Sequence, residues 1–388
     1  MIPVAQALDA LFALVTPLGS EDVPLREAAG RVLSRDVAAA RTQPPFPASA
    51  MDGYALTGAR PRARFRVIGE SAAGHRFTGP VAAGEAVRIF TGAPVPEGCD
   101  RVVIQEDTTR AGDTITLHDD LDPGPYIRPA GTDFRAGDTL SGPRQLTPSD
   151  IALLAAMNVA RVPVVRRPVV ALIATGDELV QPGEDPGPDQ IIASNSYGLD
   201  ALLRAQGAEV RMLPIARDRV ESLALCLDLA RDADLIVTIG GASVGDHDLV
   251  AQAAQTAGME RVFYKVAMRP GKPLMAGRLG RAAMIGLPGN PVSAMVCGHV
   301  FLRPVLRAFL GLGTAALPRR PVTLAAAVGA NGGREHYARA QVEGDRVTVF
   351  ERQDSALLSV LSQANALAVR PPGDRARQAG EAIEVIDL

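Results

Sequence analysis

Residues 236–250 read IVTIGGASVGDHDLV, and this stretch decides the fold class. The run formed by Ile236, Val237 and Ile239 is short, β-branched and apolar, which is typical of a buried strand in a parallel sheet. A glycine-rich turn over residues 240–245 follows, and an apolar periodic segment that predicts a helix begins near residue 248. A strand, a glycine turn and a helix in this order predict one βα unit of an α/β domain.

The same turn has the character of an anion site. Glycines let backbone N–H groups approach an anion closely, and the helix dipole favours negative charge at that end. Asp246 and Asp248 oppose such an anion, because two like charges about 4 Å apart repel by about 4 kcal/mol at an effective dielectric near 20. We therefore predict a phosphorylated ligand held together with a divalent metal. The simpler alternative is a tight turn in which Asp246 caps a helix.

Composition is that of an ordinary globular protein. The chain has 388 residues, 47% of them hydrophobic and 21% charged, which allows two or more domains with sizeable cores. The net charge of −3 argues against nucleic acid as a partner. Cys99, Cys226 and Cys297 show neither zinc nor disulfide-framework spacing, so we expect a cytoplasmic location. The apolar N-terminal segment fits a packed helix better than a signal or a membrane span, so we expect no membrane association.

The pattern of residue types along the chain predicts four parts. Residues 1–40 and 138–167 are predicted as a helical N-terminal and linker region, and residues 41–137 as an inserted β-rich domain. Strands and helices alternate over residues 168–317, which predicts a three-layer α/β domain with a mainly parallel sheet. Alternation of apolar and polar residues returns in residues 318–388, which predicts a small C-terminal β domain.

Four more segments fall where strand ends meet a ligand in such a sheet. They are ATGDEL (174–179), SNS (194–196), MRPGKP (268–273) with Lys265 before it, and GLPGNPVS (286–293). The segment from Lys265 onward collects three cations, while Asn290 and Pro291 are a good N-cap and first residue of a helix. Capped turns and a solvated charge run are the ordinary explanations of these segments.

The predicted inserted domain adds two proline-fixed loops. PPFPASAMDGYA (44–55) presents the acid Asp52, and RIFTGAPVP (88–96) presents the hydroxyl of Thr91. Each loop alone is more often a structural turn than a site. The sequence contains no serine-hydrolase elbow, HExxH or Walker A pattern. The residues alone therefore predict an α/β enzyme that holds a phosphate-bearing ligand with the help of a metal.

Six motifs occur in a fixed order along nearly the whole chain: PPFPASAMDGYAL, RIFTGAPVPEGCD, ATGDEL, GGASVGDHD, RPGKP and GLPGNPVSA. In these motifs the chain closely resembles the molybdopterin molybdenumtransferases, or MoeA proteins, which are related to the E domain of gephyrin. The resemblance implies a MogA-like, molybdopterin-binding α/β domain and a C-terminal domain like a small β-barrel. It also implies an elongated homodimer whose active cleft lies between the α/β domain of one subunit and the inserted domain of the other.

The activity implied by the resemblance is the last step of molybdenum cofactor biosynthesis. In that step, molybdate is inserted into the dithiolene of adenylylated molybdopterin, with Mg²⁺-dependent cleavage of the pyrophosphate and release of AMP. The implied protein partners are the adenylyltransferase and the acceptor molybdoenzymes, in transient contact. Tungstate is an alternative oxyanion, since its size and charge are nearly those of molybdate.

The resemblance also implies a set of site residues. The expected catalytic residues are Asp52, Thr91, Asp133, Glu178, Asp218, Asp248, Lys265, Arg269 and Lys272. The expected substrate contacts are Gly240, Gly241, Ser243, Gly245, Pro270, Gly271, Pro288, Gly289, Asn290 and Ser293. Glu178, Asp218 and Asp248 are the expected Mg²⁺ ligands. Arg269 stands where the family has a lysine, and the two cations are not interchangeable. Arg334 aligns only weakly with a basic residue of the family's terminal domain.

Two other functions compete with this interpretation. The related α/β enzyme that adenylylates molybdopterin shares the glycine turn but lacks an inserted domain with AMDGYAL. A scaffold that binds cofactor without turnover would need no carboxylates poised for a metal. The inserted domain and the set of acids and cations therefore favour the insertion reaction.

Overall fold

The computed structural model describes residues 1–241 and 249–388. The chain forms two compact units, one made of Met1–Glu21 with Val165–Leu388 and the other of Asp22–Val164. The division of the chain into four domains stays a prediction.

The larger unit is built on a six-stranded sheet. Its strands are β1 (Val169–Ala174), β2 (Glu209–Met212), β3 (Leu235–Ile239), β4 (Glu260–Lys265), β5 (Pro273–Leu279) and β6 (Ala282–Leu287), in the spatial order β2-β1-β3-β6-β5-β4. β2, β1, β3 and β6 pair in parallel. β5 pairs antiparallel with both β6 and β4, so it runs opposite to the other five strands. The prediction of a mainly parallel sheet is confirmed.

Helices cover both faces of this sheet. They are α1 (Ser194–Ala205), α2 (Val220–Leu229), α3 (Leu249–Thr256) and α4 (Pro291–Cys297). Leu199 of α1 and Val296 of α4 belong to one buried cluster, while Leu223 of α2 and Ala254 of α3 belong to another. Every residue of β3 and β6 is buried, as expected of strands with helices on both faces. Burying one such aliphatic side chain stabilises the fold by roughly 1.5–3 kcal/mol.

The helix that begins at α4 is long and apolar. It continues through a π-helical turn (Gly298–Leu302) into α5 (Arg303–Phe309). The run Pro291–Phe309 has the length and mean hydropathy, 1.3, of a membrane span, but 83% of it is buried inside the protein. Such burial is typical of a core helix. The N-terminal helix Val4–Phe12 packs into the same cluster through Val4, Leu8 and Leu11.

The C-terminal part of the larger unit is a closed β-barrel. Its strands are Arg320–Leu324, Glu335–Glu343, Arg346–Val349, Ala366–Arg370 and Ala382–Asp387. Pairing of Glu335–Glu343 with Ala366–Arg370 closes the barrel. The short strand Met268–Arg269 adds to the barrel beside Glu335–Glu343. A helical turn, Leu358–Leu361, precedes the fourth strand. The predicted barrel-like domain is confirmed.

The smaller unit is rich in β-structure, as predicted. One six-stranded sheet contains Gly53–Leu56, Arg64–Ser71, Glu85–Ile89, Arg101–Ile104, Thr108–Ala111 and Thr114–Leu117. Ala48–Ser49 pairs with Ile127–Arg128, and Val37–Ala38 pairs with Thr139–Leu140.

The region predicted as helical also contains strands. Helices are present at Val4–Phe12 and Pro148–Ala156, and Leu25–Glu27 is a single 3-10 turn. The structure adds a four-stranded sheet of Ser20–Pro24, Arg161–Val165, Val32–Leu33 and Arg144–Gln145. Two-residue strands such as Val32–Leu33 are too short to show a period in the sequence, and their partners are far along the chain. The sheet therefore could not be predicted from local pattern.

Candidate active site

A cavity of about 620 Å³ opens at the carboxyl ends of β1, β3 and β6. Open α/β sheets bind their ligands at this edge. The described residues that line the cavity are 174–176, 178, 179, 191–196, 218, 239–241, 273, 288–291 and 356. The cavity therefore collects the turns that follow three neighbouring strands and the N-terminal ends of α1 and α4.

Glycines bring the backbones of the three turns together. The N–H of Gly240 donates to the carbonyl oxygen of Leu287 over 3.1 Å. Gly240 has φ +93°, and a Cβ there would lie 2.7 Å from the carbonyl oxygen of Thr175. A Cβ on Gly289 would lie 3.4 Å from the Cα of Gly240. At this point the wall is main chain, which suits close approach of an anion.

Two predicted acids line this cavity, on turns that are tied together. Glu178 lies in the turn after β1, and Asp218 lies in the segment between β2 and α2. Arg217 Nη1 donates to the carbonyl oxygens of Asp177 at 3.0 Å and Leu179 at 3.2 Å. The N–H of Asp218 donates to Asp177 Oδ1 over 3.2 Å. These contacts hold the two turns in a fixed relation, and within the described ranges the carboxylates of Glu178 and Asp218 accept no hydrogen bond.

Close packing of α1 on α4 aims both helix N-termini at the cavity. A Cβ on Gly198 would lie 2.8 Å from Met295 Sδ, and a Cβ on Gly298 would lie 2.7 Å from a Leu199 methyl carbon. Small residues therefore permit the helices to approach at these points. Asn195 Nδ2 then donates to the carbonyl oxygen of Gly289 over 2.7 Å, which joins the first turn of α1 to the turn before α4.

Asn290 occupies the predicted N-cap position of α4, but its side chain does not cap that helix. Its Nδ2 instead donates to Ser355 Oγ over 3.0 Å. The backbone carbonyl of Ser355 accepts from the N–H of Val292 at 3.0 Å, and the next residue, Ala356, lines the cavity. Sequence reasoning missed Ser355, because nothing in its local sequence links it to a helix more than 60 residues away.

The predicted cations do not line this cavity. Pro273, at the end of the RPGKP segment, does line it, whereas Lys265, Arg269 and Lys272 do not. The ammonium of Lys265 lies 5.3 Å from the centroid of the Tyr264 ring. A separate cavity of about 400 Å³, beside the barrel, is lined in part by Arg269.

This second cavity carries charges of both signs, because Glu351 also lines it and Arg370 is paired with Asp374. Arg370 and His336 line it together with Arg269. Burial, and then the charges of Arg269, Arg370 and two further arginines, lower the pKa of His336 to about 4. The fully buried Arg339 is held by Gln353 Oε1 at 3.1 Å, and its Nη2 has no hydrogen-bond partner among the residues described. Among the arginines of this region, Arg269 is the one that lines the cavity without an acid partner in the described residues, so it is the guanidinium that an oxyanion there would meet.

The loop between these two cavities packs closely against the sulfur atoms of Cys297 and Met268. Gly271 has φ +104°, and a Cβ there would overlap Cys297 Sγ and lie 3.1 Å from Met268 Sδ. Cys297 is fully buried at the end of α4, and burial raises the pKa of its thiol. A side chain at position 271 would therefore push the loop away from α4. Pro270 lies in the same loop, and Ser293 is buried in α4; neither lines the larger cavity.

In the smaller unit the structure brings Asp52 and Thr91 together. The N–H of Thr91 donates to Asp52 Oδ1 over 2.8 Å, and Thr91 Oγ1 donates to the same oxygen over 2.9 Å. These bonds, the backbone one first, lower the pKa of the Asp52 carboxyl below its ordinary value. Asp133 is exposed, and its N–H donates to the carbonyl oxygen of Gln43 over 3.1 Å.

Three predicted residues, Ser243, Gly245 and Asp248, lie outside the described residues. Within residues 1–241 and 249–388, three or more His, Cys, Asp or Glu side chains do not converge anywhere as a metal site. Glu178 and Asp218 are nonetheless two oxygen donors on one cavity, and Asp248 follows the glycine turn that borders it.

A three-layer α/β unit with glycine turns and carboxylates at the strand ends defines a class of proteins that bind phosphorylated ligands at that edge. Three family models match the chain: "MoeA N-terminal region (domain I and II)" over residues 2–158, "Probable molybdopterin binding domain" over residues 171–308, and "MoeA C-terminal region (domain IV)" over residues 321–388. The chain belongs to the MoeA family of molybdopterin molybdenumtransferases.

Named relatives extend over almost the whole chain. Molybdopterin molybdenumtransferase 2 of Mycobacterium tuberculosis is 38% identical over 384 residues, which is 94% of each chain. The molybdopterin molybdenumtransferase of Nostoc sp. is 34% identical and covers 100% of this chain and 94% of its own. A crystal structure of the molybdopterin biosynthesis MoeA protein of Pyrococcus horikoshii is 29% identical, with a TM-score of 0.85 over 100% of this chain and 99% of that one.

Proposed function

We propose that this protein inserts molybdenum from molybdate into adenylylated molybdopterin and releases AMP. The observation that carries the proposal is the cavity at the ends of β1, β3 and β6, with two carboxylates beside glycine turns. It occurs in a chain similar over nearly its full length to proteins named for this transfer.

The cavity suits a diphosphate with Mg²⁺. Its described lining offers backbone at Gly240 and Gly289 and contains the acids Glu178 and Asp218, but neither Lys nor Arg. A diphosphate there meets negative charge without a protein cation to offset it, so a divalent cation is needed. Carboxylate oxygens without a protein partner are the ligands that Mg²⁺ prefers.

Glu178 and Asp218 would hold Mg²⁺ directly or through water, with Asp248 as the third acid. When bound, Mg²⁺ neutralises charge on the diphosphate and polarises it toward cleavage. The protein's own part is to keep the two turns in register through Arg217 and Asp177, so that the acids meet the ligand without rearrangement. The glycine turns would supply N–H groups to the phosphate oxygens, apart from the N–H of Gly240, which donates to Leu287.

Molybdate requires cationic partners. Arg269, with Lys265 and Lys272 near it in sequence, would supply positive charge to this dianion. Support comes from the 400 Å³ cavity, which Arg269 lines beside a half-buried His336. Tungstate would bind there in the same way, because its charge and size are nearly equal.

The exposed Asp52–Thr91 pair would orient either the oxyanion or the pterin end of the substrate, and Asp133 would assist. We assign these residues to the α/β cavity of a second subunit in a cytoplasmic homodimer, so that two copies of the chain complete each site. The adenylyltransferase, which supplies the substrate, and the acceptor molybdoenzymes would contact the dimer transiently.

A defined assay tests the proposal. Purified protein receives adenylylated molybdopterin, molybdate and Mg²⁺, and AMP release is measured together with reconstitution of a molybdenum-free acceptor enzyme. Asp218→Asn keeps the shape of the side chain and should reduce Mg²⁺-dependent AMP release at least 100-fold, an effect typical of lost charge stabilisation at a reacting phosphate. Glu209→Gln, at the amino end of β2, is the matched control and should keep wild-type turnover.

Two results would contradict the proposal. One is AMP release that needs neither molybdate nor Mg²⁺. The other is formation of adenylylated molybdopterin from ATP and unmodified molybdopterin, which would make the protein an adenylyltransferase.

A further inference from the structure

The first turn of α1 holds a buried hydroxyl without a partner. Ser196 is 6% exposed, and its Oγ has no hydrogen-bond partner among the residues described. The residue lines the 620 Å³ cavity. A buried polar group without a partner destabilises a folded protein, so one that borders a cavity is expected to gain its partner from a ligand.

The neighbouring side chains of this turn are already engaged. Asn195 Nδ2 donates to the carbonyl oxygen of Gly289, and Ser194 Oγ lies 3.4 Å from Asn195 Oδ1. Thr238 of β3 offers a contrast, because its hydroxyl is also buried and without a partner among the described residues, yet Thr238 does not line the cavity. Ser196 therefore combines an unpartnered hydroxyl with access to a ligand.

The cavity wall that precedes Ser196 in sequence is aliphatic. Leu179, Ile191 and Ile192 line the cavity, and the two isoleucines are 59% and 37% exposed. Leu179 and Ile191 are paired residues of a short two-stranded ribbon. Exposed β-branched side chains beside one polar group are typical of a pocket for a flat, largely apolar group with a polar edge. A phosphate has the wrong character for this part of the wall, because its side chains are aliphatic.

We propose that Ser196 is a specificity-determining residue whose hydroxyl hydrogen-bonds the edge of a flat nitrogen heterocycle, while Ile191 and Ile192 pack against the ring face. The inference rests on the proposed function, whose substrate carries two such rings, adenine and pterin. Both rings present N–H donors and nitrogen acceptors at the edge, and a hydroxyl both donates and accepts. The phosphates then extend toward Gly240 and Gly289.

Calorimetric titration of the full-length protein tests this with three probes: AMP, neopterin and ribose 5-phosphate, which has no ring nitrogen. Ser196→Ala should weaken binding of one ring-bearing probe by about five- to tenfold, the value of one hydrogen bond, and leave ribose 5-phosphate unchanged. The probe that loses affinity identifies the ring. Thr238→Val removes the other unpartnered hydroxyl and should bind all three probes as the wild type does.

The thermal midpoint gives a second readout. Because the Ser196 hydroxyl has no protein partner, Ser196→Ala should unfold at or above the wild-type temperature, whereas loss of a structural hydrogen bond would lower it. Ser196→Cys nearly keeps the size of the side chain but has a weaker donor, so it should show a similar loss of ring affinity. This variant replaces Ser196→Ala in the test if the alanine variant folds poorly.

The outcomes separate the two proposals. If Ser196→Ala binds AMP as tightly as the wild type does, and also neopterin as tightly, the proposed role of Ser196 is overturned and the proposed function is unaffected. An equal loss for ribose 5-phosphate overturns the assignment to the ring edge. If the wild type binds neither AMP nor neopterin and does not turn over substrate, the proposed function fails, and the role of Ser196 fails with it.

Discussion

The Asn195 side chain donates a 2.7 Å hydrogen bond to the carbonyl oxygen of Gly289. Asn195 lies in the first turn of α1, and Gly289 lies in the turn between β6 and α4. The bond connects two helix N-termini across one cavity edge, so the position of each depends on the other. A ligand that contacts either turn therefore meets a wall already fixed before it binds, which reduces the ordering cost of binding.

Removal of this bond should loosen the cavity. Asn195→Ala is expected to lower the free energy of unfolding by about 0.5–1.5 kcal/mol, the value of one hydrogen bond. The KM for adenylylated molybdopterin should rise more than kcat falls, because binding geometry is lost first. Urea unfolding and steady-state kinetics measure both effects. Tyr197→Phe is the control, since it removes an exposed bond of α1 to Gln181 outside the cavity. Equal KM values for the alanine variant and the wild type would exclude the coupling.

The two glycines that meet at the strand ends should respond differently to alanine. Gly240 has φ +93° and lies against the carbonyl oxygen of Thr175, so Gly240→Ala combines backbone strain with overlap. A loss of about 1–3 kcal/mol in the free energy of unfolding is expected. Gly289 lies at an ordinary φ, with the nearest contact of an added Cβ at 3.4 Å. Gly289→Ala should therefore change stability by less than about 0.5 kcal/mol, and a similar loss for both variants would contradict this account.

Much of the α/β sheet could be predicted because its central strands are apolar on both faces. β3 lies where the apolar run of Ile236, Val237 and Ile239 predicts a strand. β5 gives a weaker sequence signal, because Gly277 and Arg278 interrupt its apolar run. The glycine is needed where a Cβ would overlap the carbonyl oxygen of Glu260 on the neighbouring strand. Such close approach is a property of strand pairing, which local sequence does not contain.

The candidate site was predictable in part from the parallel arrangement of the strands. Glu178 and Asp218 follow neighbouring parallel strands, and strand ends meet at one edge, so their common cavity follows from topology. Arg269 lines a different cavity, because its segment pairs with the barrel. The segment 194–196 was predicted at this edge, but the sequence does not tell which of its side chains faces a ligand. The role of Arg217 depends on tertiary contacts, for which an isolated Arg in a turn carries no signal.

Arg217 should control how the two acids are presented. Its Nη1 is shared among carbonyl oxygens of the turn that carries Glu178, and an ammonium does not reproduce this planar geometry. Arg217→Lys is expected to cost about 1–2 kcal/mol in the free energy of unfolding and to raise severalfold the Mg²⁺ concentration for half-maximal AMP release. Arg219→Lys, two residues on and exposed, is the control. An unchanged Mg²⁺ requirement in Arg217→Lys would separate this contact from the metal site.

The pKa of Asp52 should move when Thr91 changes. Thr91→Val removes the hydroxyl bond but keeps the backbone N–H bond, which is the larger cause of the lowered pKa. The pKa should rise toward, without reaching, the ordinary value of 3.8. The stabilisation from these bonds is present above the ordinary pKa and is lost as the pH falls through the lowered one. Carboxyl-detected NMR titration measures the shift. Asp52 stays ionised at neutral pH in both proteins, so any loss of activity there reflects geometry; an unshifted pKa would exclude the hydroxyl bond in solution.

His336 should make the protein less stable in mild acid. Burial, followed by the charge of Arg269, lowers its pKa to about 4, well below the ordinary value of 6.5. Between these values the unfolded chain binds a proton that the folded chain does not, so stability falls as the pH drops from 6.5 to 4. His336→Gln removes this titration and should flatten the acid side of the stability curve, as measured by urea unfolding at several pH values.

His299 is the matched comparison, because burial also lowers its pKa to about 4 while it lies in the core helix away from Arg269. Arg269→Met should raise the pKa of His336 but leave that of His299 unchanged. A pKa of His336 that does not respond to Arg269→Met would show that the charge of Arg269 does not reach His336 across the cavity beside the barrel.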